Sequence, residues 1–138
     1  MRAMARTPVE AIRALHAALE AGKHGEELRP FFTEDAFTLE HPNLLKPKGA
    51  RTPLAQMLAA STAGAGLLAR QRYEVHDAIE HGDTAIVRLT WTGVVAKEAG
   101  PFRPGHELVA RIAQFARVRD GRIASIETYD CYEPFPAA

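Results

Sequence analysis

At 138 residues, 46% hydrophobic and 25% charged, the chain has the size and composition of one globular domain, spanning 1–138 and able to bury roughly two thirds of its unfolded surface. Its 17 basic residues offset 17 acidic ones, which excludes a net electrostatic pull toward nucleic acid, anionic lipid or acidic substrates and leaves no charge barrier to self-association. The single cysteine, Cys131, excludes an internal disulfide and a multi-cysteine metal site, and no apolar run approaches the roughly 18 residues of a membrane span.

The basic N-terminus is interrupted by Glu10, Arg13 and His16 and holds no apolar leader stretch, so a cytoplasmic protein is expected. Thr7-Pro8-Val9-Glu10 predicts a helix start: Thr7 caps, Pro8 suits the first helical position and Glu10 completes a capping box. Ile12, Leu15 and Leu19 then recur at helical spacing, and Gly22 supplies a stop. GEELRPFFTED, from Gly25, reads as a short second helix or turn broken near Pro30. AFTLEHPN, residues 36–43, alternates like a strand. Phe37, Leu39 and His41 fall on one face, and Ala36, Thr38 and Glu40 fall on the other. Phe37 and Leu39 mark the first as the core face, so His41 is expected to point toward the helices just before Pro42 stops the strand. RTPLAQMLAAS repeats the Thr-Pro start at Thr52 and Pro53, with Gly64 and Gly66 as stops.

The second half is strand-rich. RYEVHDAIEHGDTAIVRLTWTGVVA predicts two strands joined at His81-Gly82-Asp83. In the second strand Ala85, Val87, Leu89 and Trp91 line one face, and Arg88, Thr90 and Thr92 the other. HELVARIAQFARVRDGRIASIETYDCYEPF predicts another pair, turning at Asp120-Gly121. KEAGPFRPG is the loop between the pairs, and no internal repeat is present. The order implies an α+β domain with three N-terminal helices on one face of a curved, mainly antiparallel sheet. Strong curvature would leave a cone-shaped cavity between them.

FFTEDAFTLEHP, IEHGDTAIVRLTWTG and FARVRDGRI, in that order behind the first helix, resemble the nuclear transport factor 2-like (NTF2-like) superfamily, and most of all its SnoaL-like domains. These are relatives of ketosteroid isomerase and the polyketide cyclases. The resemblance covers nearly the whole chain and implies the cone-shaped fold. That fold hosts isomerases, cyclases, dehydratases, epoxide hydrolases and non-catalytic binding modules. In ketosteroid isomerase an Asp ending the first strand before a Pro is the base, and a helix Tyr with a protonated Asp forms the oxyanion hole. By resemblance those positions fall on His41, Leu15 and Ala113. Both oxyanion donors are missing, which argues against steroid isomerisation by that route. The cyclases place a His and an Asp on their last two strands. Those positions fall near Gln114 and Thr128, and a two-residue slip brings in Asp130.

His41 is thus a candidate general base or acid, placed at the cavity mouth by the resemblance. The alternative is a boundary histidine bonded to a backbone carbonyl. In ETYDCYEPF, Thr128, Asp130 and Tyr132 share one strand face, opposite Glu127, Tyr129 and Cys131. The resemblance turns the first set toward the cavity, where a desolvated carboxyl would hold its proton. His41, Asp130 and Tyr132 are therefore the catalytic candidates, and Arg111, Trp91, Phe37 and Thr128 the substrate-binding ones. Arg111 points inward on one register, needing Asp130 or a substrate anion as partner, and outward on the other. Trp91 reads as a wall of core or cavity. The six histidines lack metal-ligand spacing, and there is no phosphate loop or nucleophile elbow, so no metal or cofactor is expected. The expectation is a pocket protein for a small hydrophobic carbonyl or carboxylate compound, working by acid–base chemistry as an isomerase, cyclase or dehydratase. The alternative is a non-catalytic ligand-binding or dimerisation module. A homodimer is expected through the sheet face carrying Arg88, Thr90 and Thr92, with no nucleic acid or membrane partner.

Overall fold

A computed structural model of the chain describes residues 5–136. Helix α1, Pro8–Glu20, starts as the sequence predicts. Thr7 Oγ1 accepts from the Glu10 amide at 3.2 Å, and Glu10 Oε1 accepts from the Thr7 amide at 2.8 Å, so two otherwise unpaired amides are satisfied at once. Its buried face is Ala11, Ile12, Leu15, His16 and Ala18. A 3-10 helix, Gly25–Phe31, leads into β1, Phe32–Glu40. A short strand the sequence reading missed, β2, Ala50–Pro53, precedes α2, Leu54–Ala63. The Thr52-Pro53 signal therefore does not cap α2 with a hydroxyl: Thr52 pairs with Thr38 across β1–β2, and Pro53 occupies the N-cap position without a side-chain hydrogen bond.

Four long strands complete the chain: β3, Leu68–His81; β4, Thr84–Val95; β5, Glu107–Arg119; and β6, Arg122–Tyr132. The β5–β6 turn uses Asp120 and Gly121 with φ of 52° and 79°, the left-handed pair that a two-residue hairpin needs. The sheet order is β2-β1-β6-β5-β4-β3. Every pairing is antiparallel except β1 with β6, which run parallel. Register shifts in β3 between Val75 and Asp77, and in β6 opposite Arg117 and Val118, bend the sheet as bulges do. The curved sheet stays open, with α1 packed across β3 to β6 and α2 against β1, β2 and the 3-10 helix.

Ile12 from α1 and Val87, Leu89 and Ile123 from the sheet are the largest fully buried side chains. Gly93 has a specific role in this layer. A Cβ there would stand 2.5 Å from Cη2 of Trp91, so the missing side chain lets the indole lie across its own strand.

The orientation of β1 is the reverse of the expectation. Ala36 is 2% exposed, Thr38 reaches the interior, and Phe37, Leu39 and His41 take the outer face. Phe37 is not a core residue there: the Arg51 guanidinium lies 4.0 Å from its ring centroid. A neighbouring strand thus shields an outward aromatic, by cation–π and apolar contact, and its hydrophobicity does not mark the inside.

Candidate functional site

Between the helices and the sheet lies a half-open cavity of about 210 Å³. Ile12, Leu15 and Leu19 of α1, Met57 and Leu58 of α2, and Phe32 and Ile126 of the sheet give it apolar walls. His16, Thr38, Ser61, Tyr73 and Gln114 are the polar groups in its lining. Ser61 is occupied structurally, donating to Leu58 O at 2.7 Å and accepting from the Gly25 amide at 2.8 Å.

His16 is the residue the sequence reading passed over. It is 4% exposed because Ile12, Leu15, His16 and Leu19 stand at i, i+3, i+4 and i+7, one face of α1. That spacing was available in the sequence. The ring stacks on Tyr73, with centroids 4.4 Å apart and planes at 7°. Its Nε2 pairs with Gln114 Oε1 at 2.9 Å, while Nδ1 is buried without a partner. Burial lowers the His16 pKa below its ordinary value, against the Gln114 hydrogen bond and the Glu20 charge, with Arg13 lowering it slightly further. The ring is therefore neutral at pH 7.

A second polar group lies on the inner face of β6 and its neighbours. Thr128 Oγ1 donates to Asp130 Oδ1 at 2.5 Å. Desolvation raises the Asp130 pKa, the Thr128 hydrogen bond opposes this, and the Glu40 charge adds to the rise. Burial likewise pushes the Tyr132 phenol up, helped by Asp130 and Glu40. Trp91 meets Tyr132 edge-on at 6.3 Å and donates from Nε1 to Gln71 Oε1 at 2.9 Å. Glu40, which stands beside Thr128 across the parallel β1–β6 ladder, was not among the expected site residues. Asn43 Nδ2 donates to its Oε2 at 2.8 Å and Lys46 Nζ lies 3.4 Å from its Oε1. Tyr73 feels both Asp130 and Glu20, so its ring joins this acidic group to the His16 end of the cavity.

The expected meeting of His41 with Asp130 does not occur. His41 Nε2 donates to Glu127 Oε2 at 2.7 Å, and its ring stacks on Tyr129 at 4.1 Å and 17°. Tyr129 also donates to Glu127, at 3.2 Å. Glu127 and Tyr129 belong to the β6 face opposite Asp130, so His41 lies outside the cone. The hydrogen bond from His41 holds the Glu127 carboxyl below its ordinary pKa. Arg111 is also outward, 61% exposed and paired with Glu133; the inward register is not the one adopted. Phe37 lies outward under Arg51. Of the seven expected residues, Thr128, Asp130, Tyr132 and Trp91 share the inner face, while His41, Phe37 and Arg111 do not. Among the described residues no three His, Cys, Asp or Glu side chains are grouped to hold a metal ion.

Comparison with known proteins gives this architecture a family. The SnoaL-like domain model matches residues 12–126. The chain belongs to the SnoaL-like domain family. Its NTF2-like fold recurs in solved structures of low sequence identity. IdmH, a polyketide cyclase candidate from Streptomyces antibioticus, superposes with a TM-score of 0.73 at 23% identity, over 91% of this chain and 92% of its own. AclR, a hydroxylase candidate from Streptomyces galilaeus, gives 0.69 at 15% identity, over 87% of this chain and 75% of its own. A protein of ketosteroid isomerase-like fold from Catenulispora acidiphila DSM 44928, in complex with trimethylamine, gives 0.68 at 22% identity, over 90% and 86%. At such identities the likeness carries the fold of this SnoaL-like chain and not its chemistry. No curated protein matches by sequence. No helix among the described residues is long and apolar enough to cross a membrane.

Proposed function

We propose that this SnoaL-like protein binds a small, largely apolar molecule in the cone and moves a proton at a carbonyl or carboxylate-bearing part of it, with Asp130 as the proton carrier. The observation that carries this reading is the environment of Asp130. It is an inward carboxyl whose pKa is raised by burial and by Glu40, steadied by Thr128 and set beside Tyr132. Two carboxyls in unlike surroundings support different roles. Glu40 is held by Asn43 and Lys46, and Asp130 is the member poised to carry a proton. Tyr132, whose phenol stays protonated, supplies a donor to a developing oxyanion. Isomerisation, cyclisation and dehydration all fit this set. His41 has no part in it.

Native mass spectrometry of the purified protein would identify a retained molecule, and turnover of that molecule would then be followed in wild type and Asp130→Asn. The expected loss is about 10²–10⁴ in rate, with binding retained. Equal turnover by the two proteins would refute the assignment. A second reading, a ligand carrier without chemistry, is favoured by one observation: Asp130 and Tyr132 lie beside the 210 Å³ cavity and not in its lining. It predicts a retained molecule that neither protein alters.

A further inference from the structure

We infer that Gln114, held in place by His16, is the recognition element for a neutral carbonyl oxygen on the bound molecule, its amide nitrogen being the donor. The inference rests on the reading that the cone cavity binds a small molecule, and it narrows the class of that molecule.

The orientation of the amide follows from the unpartnered nitrogen of His16. Nε2 of His16 faces Gln114 Oε1 at 2.9 Å, and a carbonyl oxygen only accepts, so Nε2 carries the ring proton and Nδ1 is a bare lone pair. Turning the amide over would make Nε2 the acceptor and move the proton to Nδ1. That atom is buried with nothing to receive it. A buried N–H without a partner is rarer than an unused lone pair, so the oxygen is committed to His16. The Gln114 nitrogen is then left with two N–H groups. No side chain or backbone group among the described residues accepts from it, and Gln114 lines the cavity. A glutamine amide neither ionises nor serves as an acid or base at neutral pH, so its role there is binding, and His16 is a positioning residue.

Charge decides between acceptors. No Lys or Arg contributes to the lining, Arg111 lies on the outer face, Glu40 and Asp130 stand on the inner face, and of the two charges that act on His16 the Glu20 carboxylate outweighs Arg13. A carboxylate would be desolvated here without a counter-charge. A ketone, quinone, lactone or ester oxygen meets the amide at little desolvation cost. Size narrows the choice further. At about 210 Å³ the cavity is smaller than the roughly 300–1,000 Å³ of pockets for drug-sized ligands, and suits one or two rings.

The test is equilibrium dialysis of the full chain with three probes of one ring system: naphthalene, 2-acetonaphthone and 2-naphthoate. Wild type is expected to bind the ketone about tenfold tighter than naphthalene, the equivalent of one net hydrogen bond, and the carboxylate most weakly. Gln114→Leu should bring the ketone down to the naphthalene level while leaving naphthalene binding intact, which also reports that the variant folds. His16→Leu should lose the same preference, and His16→Gln, which restores an N–H near the Nε2 position, should recover it. A role of His16 limited to packing would move all three affinities together and leave the ratio unchanged. An unchanged ketone-to-naphthalene ratio in Gln114→Leu, or tighter binding of the carboxylate than the ketone by wild type, would overturn the inference. Failure of every probe to bind wild type would instead remove the cavity-binding reading, and this inference with it.

Discussion

Replacing His16 by Phe separates the energetics of its buried ring from those of the fold. Phe keeps the flat ring against Tyr73 and removes two opposed contributions. Loss of the Gln114 hydrogen bond costs about 0.5–1.5 kcal/mol, and removal of the unpaired buried Nδ1 returns about 1–3 kcal/mol. At pH 7.5 the difference should therefore lie between about 0.5 kcal/mol against the variant and about 2.5 kcal/mol in its favour. Acid separates them further. In the unfolded chain the imidazole titrates near its ordinary 6.5, while in the folded chain burial lowers that value. Below pH 6.5 the unfolded state takes up a proton that the folded state refuses. Wild-type stability is thus full above pH 6.5 and falls with pH until the folded group also titrates. Between pH 7.5 and 5.5 the loss from this one group approaches at most about 1.4 kcal/mol. Urea unfolding of both proteins across that range, followed by Trp91 fluorescence, isolates the effect, because the exposed carboxylates contribute equally and cancel in the difference. Wild type should lose stability relative to His16→Phe as the pH falls. Parallel profiles would refute the neutral, desolvated imidazole.

His41→Ala should leave turnover and cavity binding close to wild type, because its partners are Glu127 and Tyr129 outside the cone; a loss as large as that of Asp130→Asn, measured on the same retained molecule, would contradict this placement. Gly93→Ala drives a Cβ to within 2.5 Å of the Trp91 ring, so about 1–3 kcal/mol of destabilisation and a shifted Trp91 emission maximum are expected, read from denaturation and fluorescence spectra. The outer sheet face carries exposed Tyr129 and arginines already matched by Asp77 and Glu133. We propose that this near-neutral surface pairs two copies of the chain, burying more than about 1,000 Å². Light scattering at tens of micromolar should give a dimer mass for wild type and a monomer mass for Tyr129→Glu; a monomeric wild type would end the proposal.

The strand-rich half was legible because its residues alternate without interruption. Ala85, Val87, Leu89 and Trp91 face in as the period of two requires, and Asp120-Gly121 turns where its backbone preference dictates. The capping box at Thr7 was equally plain, since every part of its chemistry is local. β1 was misread because alternation fixes which residues share a face and not which face is buried. Ala36 is small enough to be buried inside, whereas Phe37 finds its shelter from Arg51, a residue brought beside it only by tertiary pairing. β2 escaped notice because four residues containing Arg51 and Pro53 show no strand period. At the site, the inward set Thr128, Asp130 and Tyr132 followed from one strand's parity together with the family resemblance. Glu40 did not, because a charged residue at a strand end reads as solvated until Asn43 and Lys46 are seen folding back onto it. His16 was hidden by being counted among the polar breaks in α1 when it completes the buried stripe.

The parallel union of β1 with β6 has a consequence for how the molecule comes into being. Glu40 and Thr128 are neighbours in space but are separated by most of the chain. Neither local helix formation nor the zipping of β3 through β5 brings them together. Closing so long a loop is slow, because the entropy of the intervening chain is lost before the ladder rewards it. During synthesis β1 emerges early and must wait, its edge unpaired, until the final strand leaves the ribosome. The acidic group therefore cannot form before β6 is available, and its assembly coincides with completion of the sheet. Until then the apolar faces of α1 and β1 lack the sheet that covers them, and it is such exposed surface that makes incompletely folded chains prone to aggregate.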